Sequence, residues 1–164
     1  MIDLVKRANV LFRAIVDGVK PIAPLLTRVI IGHAFVQTGI GKLQNLSDVT
    51  EFFASLGLPA PAANAAFIAS LEAVGGVALI LGVGTNLFAA LLSATMIVAL
   101  LTADRAAFIS AVTGGEQGLT DVLPVIFLMP LAWLVAFGAG PISLDALVKK
   151  LFRAPVAAPS KVLA

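Results

Sequence analysis

Long apolar runs separated by short polar breaks recur four times along the chain, at Pro21–Leu43, Ala62–Gly82, Leu87–Ala103 and Val122–Gly138. A run of about 20 apolar residues matches the roughly 30 Å hydrocarbon core of a bilayer, so each is a candidate span. The third is near the short end of the spanning range, but it carries no charge, which favours a crossing over a buried helix of a soluble protein. Between the second and third runs lies only Val83-Gly84-Thr85-Asn86. Its Gly and Asn suit a tight turn, so these two helices are expected to pack as an antiparallel pair.

The segments between and around the runs have patterns of their own. Residues 1–20 place Leu4, Val5, Leu11, Phe12, Ile15, Val16 and Val19 among Lys6, Arg7, Arg13 and Lys20 at helical intervals. This predicts an amphipathic helix in the membrane interface, in contact with lipid, rather than a cleavable signal. Ser47–Gly57 carries an N-cap residue, apolar side chains at Val49, Phe52, Phe53 and Leu56, and a Gly stop before Pro59 and Pro61, which predicts a short amphipathic helix on the outer surface. Asp104–Asp121 is too polar to cross and reads as a partial lid, with Phe108, Ile109 and Val112 dipping into the interface. The expected fold class is an all-α membrane protein, a four-transmembrane-helix bundle over residues 21–150. An interfacial helix at 1–20 precedes it and a flexible cytoplasmic tail at 151–164 follows.

Composition supports the membrane reading and removes several chemistries. Of the 164 residues, 60% are hydrophobic and 12% charged, against about 45–50% and about 25% for an ordinary soluble domain. There is no cysteine and one histidine, which leaves no thiolate nucleophile, Fe–S cluster, bis-His haem or evident metal site. The net charge of +2 makes no case for nucleic acid. Position is more informative than the total. Lys6, Arg7, Arg13 and Lys20 precede the first run, and Lys149, Lys150, Arg153 and Lys161 follow the last, whereas the connections between runs carry only Arg105. With an even number of spans this asymmetry puts both termini in the cytoplasm, as for a protein of the cell's inner membrane.

Four ionisable residues fall inside the runs: Arg28, His33, Lys42 and Glu72. Such groups are costly in a membrane, and each calls for a partner or a function. Arg28, Gly32, Phe35, Gly39 and Lys42 share one helix face within an arc of about 80°, a stripe whose small residues admit another helix or a flat ligand. Glu72 stands at the centre of its run with Gly76 on the same face, and aligning run midpoints pairs it with Arg28. Lys42 lies about 21 Å outward of Arg28 and is expected to meet Asp48, Glu51, Asp121 or a ligand headgroup, or to snorkel to the interface. The Arg28–Glu72 pair is equally readable as a structural ion pair and as a chemical site. His33, on the opposite face with Gln37, is expected to hydrogen-bond Ser93, Thr95 or a backbone carbonyl. Pro124 and Pro130 are expected to start and kink the last helix, and Trp133 to sit in an interfacial belt or anchor packing.

The segments Arg28-Val29-Ile30-Ile31-Gly32-His33-Ala34-Phe35-Val36-Gln37-Thr38-Gly39-Ile40-Gly41-Lys42-Leu43, Leu56-Gly57-Leu58-Pro59, Glu72-Ala73-Val74-Gly75-Gly76 and Gly140-Pro141-Ile142-Ser143-Leu144-Asp145, in this order, resemble the DoxX family of small four-helix membrane proteins. The likeness covers about residues 20–150. It implies redox work at a membrane, linked to quinone reduction and carried out beside other proteins. Arg28, Gly32, Gly39, Lys42, Glu72 and Gly76 match the family pattern, and Asp145 matches its end motif.

A quinone needs a flat apolar slot, donors at its carbonyl oxygens and a proton acceptor for its reduced form. On that reading Arg28 and Glu72 are the catalytic candidates, and Arg28, Gly32, Gly39, Lys42 and Gly76 the quinone-binding ones. No flavin, haem or Fe–S motif is visible, so an electron donor must be bound from outside or held by a partner subunit. The alternative from a different class is a non-catalytic accessory subunit that packs against a larger membrane complex, with the buried charges serving assembly. A homo-oligomer is compatible with either.

Overall fold

The computed structural model describes residues 2–116 and 118–152. Among them the regular structure is all helical: α1 (Ile2–Val19), α2 (Ile22–Gln44), α3 (Leu46–Ser55), α4 (Pro61–Leu81), α5 (Thr85–Leu101), α6 (Arg105–Val112), α7 (Leu123–Phe137) and α8 (Leu144–Phe152), with one 3-10 turn at Leu119–Asp121. The four apolar runs thus become α2, α4, α5 and α7, each bounded within a few residues of its expected limits. Of these, α4 alone is by itself long and apolar enough to cross a membrane; α5 joins α6 through an 82° bend, and α7 is a shorter apolar helix.

Local chemistry sets the helix ends. Pro61 opens α4, where its missing N–H costs nothing, and Gly82 closes it in the left-handed region at φ +72°. The turn to α5 continues through Gly84 at φ +54°, so the Val83–Asn86 connection is as tight as its sequence predicts. Pro130 lies within α7.

The helices run up and down. α2 packs most extensively on α4 and α5 on α7, with α4 against α5 and α2 against α7 joining the pairs. Phe35, Leu79, Ala89, Leu92, Leu131 and Leu134 form the buried core, and Phe35 meets Phe127 edge to face at 5.2 Å between centroids. Large apolar side chains also point outward, among them Ile30, Phe67, Leu87, Met129 and Phe137, far beyond the scattered exposure usual for a soluble monomer.

Two expectations change in detail. α3 does not simply lie on the surface: it packs on α4 and buries Phe53. Leu151 and Phe152 continue α8 instead of belonging to a tail, because Leu144, Leu147, Val148, Leu151 and Phe152 form one apolar face of a regular amphipathic helix; 153–164 lie outside the described residues. Trp133 stacks on Phe137 at 4.2 Å while remaining half exposed. α1 is amphipathic and packs extensively against no other helix, leaving Leu11, Phe12 and Val19 exposed.

Candidate functional site

The approach of α2 to α4 is set by glycines on both helices. A Cβ on Gly32 would stand 2.6 Å from the Gly76 carbonyl oxygen, one on Gly76 2.7 Å from the Val36 nitrogen, and one on Gly39 2.8 Å from the Ala69 carbonyl oxygen. The neighbours are backbone, so the two helices touch main chain to main chain. The stripe of small residues is therefore filled by α4, and no flat ligand lies between Gly32, Gly39 and Gly76.

That contact also fixes the axial offset, and with it the ion pairing. Gly32 faces Gly76 and Ile80, not residue 72. α4 is displaced from the midpoint alignment by four to eight residues, about 6–12 Å at 1.5 Å per residue. Side chains lean toward the N-terminus of their own helix. In this antiparallel pair Lys42 and Glu72 consequently lean toward each other, while Arg28 leans away. Lys42 Nζ donates to Glu72 Oε1 at 2.6 Å. The expected Arg28–Glu72 pair does not form, and neither Asp48, Glu51 nor Asp121 holds Lys42.

Arg28 serves the opposite end of the bundle. It is 1% exposed, and its Nη2 donates to the Ile142 carbonyl at 2.5 Å. Its guanidinium packs on Gly82, where a Cβ would collide with it. Beside it, the Asp145 carboxylate accepts hydrogen bonds from the Gly84 and Thr85 backbone N–H groups at 2.9 and 3.2 Å, and Asp145 N donates to Gly82 O. Asp145 thus caps the N-terminus of α5 from a distant segment, where a carboxylate is favoured. Asp145→Ala is expected to lose about 1–2 kcal/mol of stability, read as a lowered thermal midpoint in detergent, with Asp145→Asn retaining part of it. A wild-type midpoint in the alanine variant would contradict this assignment.

His33 and Gln37 are exposed on the outer face of α2. Ser93 and Thr95 donate instead to Ala89 O and Leu92 O of their own helix, so the expected bond from His33 to either is absent.

At the end of the bundle away from Arg28, the Lys42–Glu72 pair forms part of the wall of a cavity of about 480 Å³. Phe35, Thr38 and Lys42 line it from α2, Ile68 and Glu72 from α4, Thr95 and Met96 from α5, Pro124 and Phe127 from α7, and Phe52 and Phe53 of α3, with Leu56 just after that helix, complete the wall. Glu72 is 1% exposed, whereas the Lys42 side chain is 32% exposed. Among the described residues the second Glu72 oxygen, Oε2, has no hydrogen-bond partner. The sequence signal for this site was the recurrence of Phe35 and Lys42 on one helix face. The contribution of α3 and of Phe127 carried no such signal, because it depends on how distant segments dock.

The protein is thus an all-helical bundle of four principal helices, with a lysine–glutamate pair whose carboxylate is buried beside an apolar cavity at one end and an arginine-held loop at the other. The chain belongs to the DoxX family, a membrane-associated family whose model matches residues 23–105, just over half of the chain. It is also similar to the "Putative oxidoreductase CatD" of Bacillus subtilis (strain 168), at 38% identity over 81 residues, which are 49% of this chain and 59% of that protein. No solved structure gives a significant match.

Proposed function

We propose that the protein is a four-span bundle of the cell's inner membrane, with both termini cytoplasmic, acting as the quinone-binding subunit of a membrane redox complex. The carrying observation is the Lys42–Glu72 pair in the wall of the apolar, phenylalanine-lined cavity. The outward apolar side chains of all four principal helices support the membrane placement, and the oxidoreductase name of the similar protein supports the redox class. With the termini cytoplasmic, the cavity lies toward the outer face, since Pro24, Gly82 and the Gly138–Asp145 loop gather at the other end.

The residues present fit a quinone headgroup. Phe35, Phe52, Phe53 and Phe127 supply apolar and aromatic walls, Lys42 Nζ has donor capacity beyond its bond to Glu72, and Glu72 Oε2 is an acceptor without a partner. A bound quinone supplies reversible two-electron, two-proton chemistry, with electrons exchanged through a partner protein. Lys42 binds and orients the head, Glu72 holds or takes a proton at Oε2, and α3 limits the access of water. Arg28, Gly32, Gly39 and Gly76 act in this reading by holding the bundle.

The test is purification from native membranes in mild detergent, followed by mass spectrometry of extracted quinone and of co-purifying proteins. Stoichiometric quinone is expected, lost in the cavity-filling Met96→Trp while that variant keeps its helical content. A stoichiometric large partner without quinone would overturn this reading in favour of an accessory subunit.

A further inference from the structure

The polar groups around the cavity are unequal in number. Thr38 and Thr95 are among its lining residues, but their hydroxyl protons are committed to Phe35 O at 3.1 Å and Leu92 O at 2.8 Å, so neither has a proton to donate to a ligand. Asp104, also a lining residue, and Glu72 bring carboxylates, which only accept. Thr102 is committed likewise, to Val98 O, so among the described residues the side-chain donor left in the lining is Lys42 Nζ, already engaged by Glu72 Oε1. Lys42 against Glu72 and Asp104 leaves the charged lining one negative in balance, which disfavours anionic ligands.

We infer that this cavity selects an uncharged amphiphile whose head carries hydroxyl donors, and, resting on the quinone-site reading above, that it holds the reduced, quinol form more tightly than the quinone. A quinone head offers only carbonyl acceptors. It satisfies Lys42, but it leaves Glu72 Oε2 without a partner and sets a lone pair against it. A quinol offers two O–H groups in the same ring frame. One donates to Glu72 Oε2, a hydrogen bond to a charged acceptor, while the same oxygen or its counterpart accepts from Lys42. Oε2 is otherwise an uncompensated acceptor in a low-dielectric setting, the situation in which a missing donor matters most. No electron transfer is needed for the discrimination; it is a difference in binding.

The experiment uses the purified wild-type protein in detergent under anaerobic conditions, with equilibrium dialysis of a water-soluble short-chain quinone, its quinol and the di-O-methyl ether of that quinol. The quinol is expected to bind at least about tenfold more tightly than the quinone, in line with one hydrogen bond to a charged group. The ether, which keeps the ring and loses both donors, is expected to bind no more tightly than the quinone. In Glu72→Gln the quinol-to-quinone ratio should fall toward one, because an amide both donates and accepts. Equal affinity for the two forms in the wild type, or tighter binding of the quinone, would overturn the inference while leaving a quinone site in place. Binding of none of the three would overturn the quinone-site reading together with it.

Discussion

Gly39→Ala is expected to lower the thermal midpoint of the purified protein sharply, and Gly39→Val to prevent it from accumulating as a folded species. The added Cβ would sit 2.8 Å from the Ala69 carbonyl oxygen and equally near the Ala73 Cα. These are main-chain atoms of a helix that is itself held at a second close point, Gly32 against Gly76. No rotamer change relieves such a contact, so the helices must separate, and the packing between them is lost along their length. Overpacking costs about 1–3 kcal/mol where side chains can adjust and more where they cannot; the upper end applies here. Two residues further along the same helix, a Cβ on Gly41 meets nothing within 4 Å. Gly41→Ala should therefore be neutral or stabilising by up to about 1 kcal/mol through helix propensity. Thermal unfolding of the two alanine variants, followed by circular dichroism in one detergent, gives opposite signs if the helix contact is as described. Equal midpoints would refute it.

Lys42→Met should destabilise the fold by about 3–5 kcal/mol, because it leaves the Glu72 carboxylate buried without a counter-charge. The two halves of the pair are not equivalent. Glu72 is 1% exposed and has nowhere to go, whereas Lys42 is 32% exposed and can extend its ammonium outward when its partner is removed. Glu72→Gln, which still accepts from Lys42, should cost only about 1–2 kcal/mol. The double variant Lys42→Met/Glu72→Gln removes both charges and should recover much of the loss seen in Lys42→Met alone. A double-mutant cycle on chemical or thermal unfolding measures this coupling directly. Additive effects would mean that the pair does not act as a unit.

Much of the architecture was readable residue by residue. The four principal helices follow from the length of their apolar runs, the turn at Val83–Asn86 from its Gly and Asn, and α3 from the spacing of Val49, Phe52, Phe53 and Leu56 before Gly57. These features are local, so their signal lies within a few turns of chain. The ion pairing was not readable in this way. The choice between Arg28 and Lys42 as the partner of Glu72 turns on an axial offset of a few residues, and helix periodicity carries no information about the offset between two helices. Likewise Asp145 is recognisable as an acidic residue in a Gly-Pro-rich end segment. Its role as the cap of α5 exists only because that segment returns to the turn after Gly82.

Local patterning thus specifies the all-helical class, the four principal helices, the tight turn between α4 and α5, and the family to which the chain belongs. It also marks Arg28, Lys42 and Glu72 as the charged groups within those helices. That Lys42 meets Glu72, that Arg28 secures the far end, and that α3 helps wall a phenylalanine-lined cavity follow from how the helices dock. Helix formation is governed by neighbours one turn away. Partner choice is governed instead by backbone contact at Gly32, Gly39 and Gly76, which slides one helix along another and, with the N-terminal lean of every side chain, decides which charges can touch.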